Sequence, residues 1–232
     1  MLILAIDTAL DACAAGVLDT RTGQLLAHES SPMKRGHAEA LMPLLARVMQ
    51  QSGTAFAELD RIAVTTGPGS FTGLRVGLSA GRGIGLAAAK PVVGVTTLAA
   101  YAAPLVSRNG DAPVLAVIDA RHDHLYFQAV SGNGTSLQRP CVIPIDEALD
   151  AARFGAPHLI GNAAAMLAAR WPADAPPLTV ADQPAPEISW VAWLGAAVDP
   201  QAALARPFYL RAPDAKPQSS LMGALGQTPP AP

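Results

Sequence analysis

One pattern, written twice, limits what this chain can fold into. Leu2-Ile-Leu-Ala-Ile-Asp7 opens the chain and Leu115-Ala-Val-Ile-Asp119 repeats it, an apolar run closed by Ile-Asp each time. Such runs read as strands covered on both faces. After the first run, strand-like segments at 14–18 and 24–28 flank the turn-prone Thr20-Arg-Thr-Gly23. A helix over 37–51, a strand over 61–66, a long helix ending near 90, a strand over 91–96 and a helix over 98–106 follow. After the second run, strands at 125–130 and 140–143 flank the hairpin signal Gly132-Asn-Gly134. Then come a helix over 145–154, a strand at 158–160, a helix over 163–171, a weak strand at 179–181 and an amphipathic helix over 189–198. The order β-β-β-α-β-α occurs twice, as expected of a duplicated α/β unit. Ser107-Arg-Asn-Gly-Asp-Ala-Pro113 is polar and turn-rich and separates the copies. The expected lobes are 1–106 and 114–212 with 107–113 as linker, and the Pro/Ala-rich 213–232 reads as a disordered tail.

Composition narrows the function classes. Half of the 232 residues are hydrophobic and 15% are charged, enough apolar material for a packed core. Sixteen basic against eighteen acidic residues give a net charge of −2, without the basic excess of a dedicated nucleic-acid binder. Cys13 and Cys141 lack CxxC spacing, which fits free thiols in a reducing, cytoplasmic setting. The apolar start lacks a positive n-region and meets Asp7 at once, so it reads as a strand rather than a signal core. No run reaches the ~20 apolar residues of a membrane span.

Few residues offer chemistry. Gly67-Pro-Gly-Ser-Phe-Thr-Gly73 lies between a strand and a helix, where backbone N–H groups and the helix dipole can hold an anion. Gly67, Gly69 and Ser70, with Asp7 and Thr8 at the end of the first strand, are the candidate nucleotide or anion contacts. No Lys-Ser/Thr pair follows the last glycine, so this is not a P-loop, and a plain tight turn is the competing reading. Asp119 reads as a turn cap, and His37 as a residue of a helix's first turn. His122 and His124 alternate on an expected strand but have no evident third ligand, so no metal site is expected. Gly73, Gly77, Gly81 and Gly85 recur every four residues, with Gly83 between them. Glycines inside a helix cost about 1 kcal/mol each relative to alanine, so a flat ridge for close backbone approach is implied. Its neighbour is either the chain's own sheet or another protein. In the helix over 37–51, Leu41, Leu44, Leu45 and Val48 form the core face, and Met42 and Met49 mark a second apolar stripe beside it.

Five segments carry a family resemblance: Leu4-Ala-Ile-Asp-Thr8, His37-Ala-Glu-Ala-Leu-Met-Pro43, Thr66-Gly-Pro-Gly-Ser-Phe-Thr-Gly-Leu-Arg-Val-Gly77, Pro91-Val-Val-Gly-Val95 and Pro207-Phe-Tyr-Leu-Arg211. In this order they resemble the TsaB family, the dimerisation subunits of the bacterial tRNA threonylcarbamoyladenosine machinery, within the glycoprotease-like group. The likeness is firm over the first hundred residues, loose over 143–205 and absent from the tail. It implies a two-lobe fold of the actin/Hsp70/sugar-kinase class, a heterodimer with the transferase TsaD, and the ATPase TsaE as a further partner. It implies contact with tRNA only through the complex, and leaves open a homodimer of the isolated chain and ATP or ADP at the complex interface. Where TsaD carries two metal-binding histidines four apart, this chain has Thr97 and Tyr101. The resemblance thus implies a non-catalytic subunit; a nucleotide-dependent phosphotransferase or ATPase using Asp7 and the glycine loop is the alternative. The expected partner surface is Met42, Met49, Gly73, Arg75, Gly77, Gly81 and Gly85. On that reading Gly81→Leu costs partner affinity and leaves the monomer's stability nearly unchanged.

Overall fold

The protein is described by a computed structural model over residues 1–106 and 110–211. Part of the expected linker (107–109) and the whole expected tail (213–232) lie outside the described residues.

The duplicated order builds two sheets of one topology. In the first half, β1 (Leu2–Asp7), β2 (Ala12–Asp19), β3 (Gln24–Pro32), β4 (Arg61–Gly67) and β5 (Val92–Thr96) lie in the order β3-β2-β1-β4-β5. In the second half, β6 (Val114–Asp119), β7 (His124–Val130), β8 (Ser136–Pro144), β9 (His158–Gly161) and β10 (Thr179–Asp182) lie in the order β8-β7-β6-β9-β10. β1 and β6 hold the same place: each runs antiparallel to the next strand and parallel to the strand on its other side. The helices are α1 (His37–Ser52), α2 (Phe71–Ala88), α3 (Thr97–Ala102), α4 (Ile145–Ala148), α5 (Ala164–Ala168) and α6 (Ile188–Ala197). The helix expected over 145–154 continues past α4 as a 3₁₀ segment, Leu149–Phe154.

Alternation on β1 shows why the run is apolar throughout. Leu4 and Ile6 pack with Leu41, Leu44, Leu45 and Val48 of α1 and Leu78 of α2. Ile3 and Ala5 turn to the other face, against Ile188, Val191 and Ala192 of α6. A strand between two helical layers needs apolar side chains at every position. α1 begins after Gly36, which has φ 90°, and ends at Gly53, whose N–H donates to the Gln50 carbonyl at 3.2 Å. Pro43 is accommodated inside this helix.

The last helix departs from the expected lobe of 114–212. α6 lies on β1, β2 and β4 of the first sheet, and a Cβ at Gly195 would collide with that of Ala63. The Arg61 guanidinium fixes its C-terminal end, donating from one nitrogen to the Gly195, Ala196 and Val198 carbonyls at 2.7, 3.2 and 2.7 Å. α3, from the first half, does the reverse: Leu98, Tyr101 and Ala102 pack with Val114, Ala116 and Ile118 of β6. Each half therefore closes the open apolar face of the other. From α6 the chain returns along the first sheet, with Leu204 bridging to Val93 and the Phe208 N–H donating to the Thr66 carbonyl at 2.7 Å.

Candidate functional site

The glycine loop sits at the end of β4, directly before α2. Ser70 is the N-cap residue of α2, its hydroxyl accepting from the Gly73 N–H at 3.2 Å. The Ser70 N–H donates to the Ala9 carbonyl at 2.7 Å, and a Cβ at Gly69 would collide with that same oxygen. Gly67 has φ 109° and precedes Pro68 through a cis peptide; a Cβ there would stand 2.9 Å from the Phe208 carbonyl oxygen. The Thr8 hydroxyl donates to the Gly73 carbonyl at 2.7 Å. The loop thus closes on β1 and the returning C-terminal segment, and the Ser70 and Gly73 N–H groups are already spent. Phe71 and Thr72 at the start of α2 border a cleft beside the loop.

Asp7 is fully buried behind the loop. Its Oδ1 accepts from the Ala9 N–H at 3.0 Å and the Thr65 hydroxyl at 2.6 Å, while Oδ2 has no hydrogen-bond partner in the structure. Burial raises its pKa above the ordinary carboxylate value, with the Thr65 and Ala9 bonds opposing the shift. Cys13 is buried too, and burial together with Asp7 pushes its thiol up to about 11, far from a reactive thiolate. Asp119 accepts from the Arg121 N–H at 2.7 Å, the turn cap expected of it. His122 has φ 53° in a left-handed turn with Arg121 and Asp123, so it does not alternate with His124 on one strand. His37 is buried in the first turn of α1, its Nε2 3.0 Å from the Leu10 carbonyl oxygen.

Thr97 and Tyr101 are both fully buried in α3. The Tyr101 hydroxyl donates across the halves to the Gln183 carbonyl at 2.9 Å, and burial raises its pKa. No group of three or more His, Cys, Asp or Glu side chains suited to a metal ion occurs among the described residues.

The glycine ridge faces inward, which corrects the expectation that Gly73, Gly77, Gly81 and Gly85 belong to a partner surface. A Cβ at Gly73 would strike the Thr8 carbonyl, and one at Gly77 the Thr8 hydroxyl. At Gly81 it would stand 2.5 Å from Val64 Cγ2, and at Gly85 it would strike Val92 Cγ2. The ridge exists because α2 lies against β1, β4 and β5 of its own sheet, so the effect once expected on partner affinity from Gly81→Leu belongs to stability. Met49 is likewise a core residue, packed with Leu45 and Val48. Met42 and Arg75 alone of the expected surface set are exposed, Met42 at 54%.

Two concavities flank the first turn of α2. A cleft of about 660 Å³ opens between the halves, with Lys34, Arg35, Arg121 and Arg211 set against Asp11 and Asp119. A groove of about 580 Å³ runs between α1 and α2, lined by Leu41 and Met42 of α1 and by Phe71, Thr72, Arg75, Val76, Ser79 and Ala80 of α2. Phe71 and Thr72 border both. The sequence reading missed the aromatic wall there: the Phe71 ring stacks on Tyr209 at 5.1 Å between centroids, and the Arg75 guanidinium lies 3.7 Å from its centre. Phe71 and Arg75, four apart at a helix start, were a visible signal; Tyr209 was not.

The two halves, with one sheet order in both and a strand–glycine loop–helix unit in the first, define a duplicated α/β protein with two five-stranded sheets. The family model described as TsaD, tRNA N6-adenosine threonylcarbamoyltransferase, matches residues 24–176. The chain is 39% identical over 128 residues to the tRNA threonylcarbamoyladenosine biosynthesis protein TsaB of Escherichia coli K12, a match covering 55% of this chain and 54% of that one. It therefore spans about half the length of that relative. An uncharacterised protein of Mycobacterium bovis is 34% identical over 220 residues, covering 93% of this chain and 94% of its own. A crystal structure from Pseudomonas aeruginosa, described as similar to peptidase YeaZ, superposes with a TM-score of 0.74 at 27% identity over 90% of this chain and 99% of its own. The chain belongs to the glycoprotease-like TsaB/TsaD family.

Proposed function

We propose that the chain is a non-catalytic subunit of tRNA threonylcarbamoyladenosine synthesis that pairs with a TsaD-type transferase. The observation that carries this reading is the groove between α1 and α2, a largely apolar channel with Met42 exposed at its edge and unfilled by any element among the described residues. Exposed apolar channels of this kind mark docking sites on otherwise polar surfaces. Two further features support a subunit over an enzyme. The Ser70 and Gly73 N–H groups of the loop are tied to the chain itself, and Thr97 and Tyr101 stand where the resemblance places histidines in the transferase. Family names supply the pathway: relatives are named as biosynthesis proteins of this modification. On this reading TsaE joins the pair, tRNA is met through the complex, and the setting is cytoplasmic.

The test is co-purification with TsaD and TsaE, scored by threonylcarbamoylation of tRNA. Modification is expected only with all three, and Met42→Asp abolishes pairing while the monomer stays folded. Full modification by TsaD and TsaE without this chain would overturn the reading. ATP turnover by the isolated chain near ~1 per second, within the usual enzyme range, and lost in Asp7→Ala, would favour a nucleotide-dependent phosphotransferase or ATPase instead.

A further inference from the structure

The cleft between the halves is positive on a chain that is not. Lys34 and Arg35 line it from the segment after β3, Arg121 from the turn between β6 and β7, and Arg211 from the returning C-terminal segment. Asp11 and Asp119 are the carboxylates set against them, on a chain whose net charge is −2. Lys34, Arg35 and Arg121 are exposed, and none of the three stands in an ion pair among the described residues. Cations gathered in a concave wall focus a positive field into it. The cleft's volume of about 660 Å³ is that of a small-molecule site.

The turn that carries Arg121 is conformationally unfavourable and firmly held. Arg121, His122 and Asp123 have φ of 62°, 53° and 55°, three left-handed residues in a row where glycine would be strained less. The Arg121 N–H donates to the Asp119 carboxylate at 2.7 Å, the His124 N–H to the Arg121 carbonyl at 3.1 Å, and the Ile145 N–H to the Asp123 carbonyl at 2.9 Å. Arg170 donates to the Asp123 carboxylate at 2.9 Å, and Arg211 to the Ala120 carbonyl at 3.2 Å. Strain fixed by its surroundings in this way clusters where a side chain has a task. Of the three residues, Arg121 is the one that lines the cleft. Asp119 is drawn into holding the turn, which leaves less of its charge to offset the cations. On the opposite wall, Phe71 and Thr72 lie in the first turn of α2, and their N–H groups make no hydrogen bond among the described residues. Such groups favour an anion beside them.

We propose that this cleft binds a small, multiply charged oxyanion, gripped by Lys34 and Arg35 from one half and by Arg121 from the other. The Ser70 and Gly73 N–H groups take no part, because both are bonded within the chain. The site is therefore distinct from a nucleotide site built on Asp7 and the glycine loop. Phosphate and carboxylate share the required chemistry, since arginine grips either through paired hydrogen bonds. The inference does not depend on the docking reading above.

The test is calorimetry on the full chain at low salt, without divalent metal, using inorganic pyrophosphate and citrate as separate probes. Saturable binding is expected for at least one of them, weakening as salt rises and raising Tm. Preference for pyrophosphate identifies a phosphorylated ligand, and preference for citrate a polycarboxylate. Arg121→Gln and the double variant Lys34→Gln/Arg35→Gln should each lower affinity by about tenfold or more. Both should melt with the unliganded parent, because the replaced side chains are exposed. Arg153→Gln, at an exposed position outside the cleft, should leave affinity unchanged. The inference falls if neither probe binds saturably at millimolar concentration, or if the cleft variants bind as well as Arg153→Gln does. Binding that requires Mg²⁺, disappears in Asp7→Asn and survives Arg121→Gln would place the anion at the glycine loop and overturn it. So would an RNA hairpin held through Arg121 where both small probes fail.

Discussion

Replacing one glycine of α2 by alanine tests whether the ridge is shaped by the chain's own sheet. At Gly81 the new Cβ would stand 2.5 Å from Val64 Cγ2, with Ile62 Cγ2 and Val92 Cγ1 at 3.7 Å. Comfortable carbon–carbon contacts lie near ~3.5–4.0 Å, so about 1 Å must be found. Val64 cannot yield it cheaply: its side chain is β-branched and stiff, and β4 is hydrogen-bonded to β1 and β5 on its two sides. Overpacking of this kind costs about 1–3 kcal/mol, against a helix-propensity gain of about 1 kcal/mol for Gly→Ala. The expected net loss reaches about 2 kcal/mol for Gly81→Ala, nearer the upper end because Val64 is stiff. Gly83 is the internal control, because a Cβ there meets nothing within 4 Å. Gly83→Ala should therefore be stabilising by about 1 kcal/mol. For a chain of this size 1 kcal/mol moves Tm by about 2–4 °C, so the two variants should melt on opposite sides of the parent. Urea denaturation of both, with unchanged m-values, supplies the free energies. If Gly81→Ala raises Tm as much as Gly83→Ala does, helix propensity governs both positions and the close approach of α2 to β4 is wrong.

Other expectations follow from single contacts. Because burial raises the Asp7 pKa in the fold, its protonation contributes stability that is complete below the unfolded value of 3.8 and is lost as pH rises through the folded value. Asp7→Asn should thus be more stable than the parent at neutral pH, with the gap closing toward acid; a gap independent of pH would refute the buried charge. Arg61→Met leaves three carbonyls at the end of α6 without their donor, so it should cost about 1–3 kcal/mol and alter the fluorescence of Trp190 and Trp193 before global unfolding. Tyr101→Phe removes the bond to Gln183 between the halves and should lower stability by about 0.5–1.5 kcal/mol in thermal melts. With Thr97 and Tyr101 buried in α3, elemental analysis of the purified protein should find no stoichiometric Zn or Fe.

Local pattern made much of this protein legible before any coordinates. Short apolar runs bounded by turn residues located the strands, and the spacing of Leu41, Leu44, Leu45 and Val48 gave the core face of α1. These signals are local, set by the two- and 3.6-residue periods and by which residue tolerates positive φ, so they survive without knowledge of neighbours. The repeat of the β1 motif at β6 announced the duplication for the same reason. What the sequence left undecided was always a question of what lies opposite. The glycine ridge reads identically whether it meets a sheet or a stranger, and only the position of Val64 and Val92 decides for the sheet. Met49 and Met42 share a helix and a side-chain type, yet one fills the core and the other borders the open groove. α6 follows the second half in the chain but covers the first, because short α3, with Ala100, covers only part of the apolar face that α6 meets on β1 and β4. Tyr209 reaches Phe71 across 138 residues only because the C-terminal segment runs back beside β5 and β4. Burial and long-range contact are properties of pairs of surfaces, and a sequence names the surfaces one at a time; the fold alone sets each against its partner.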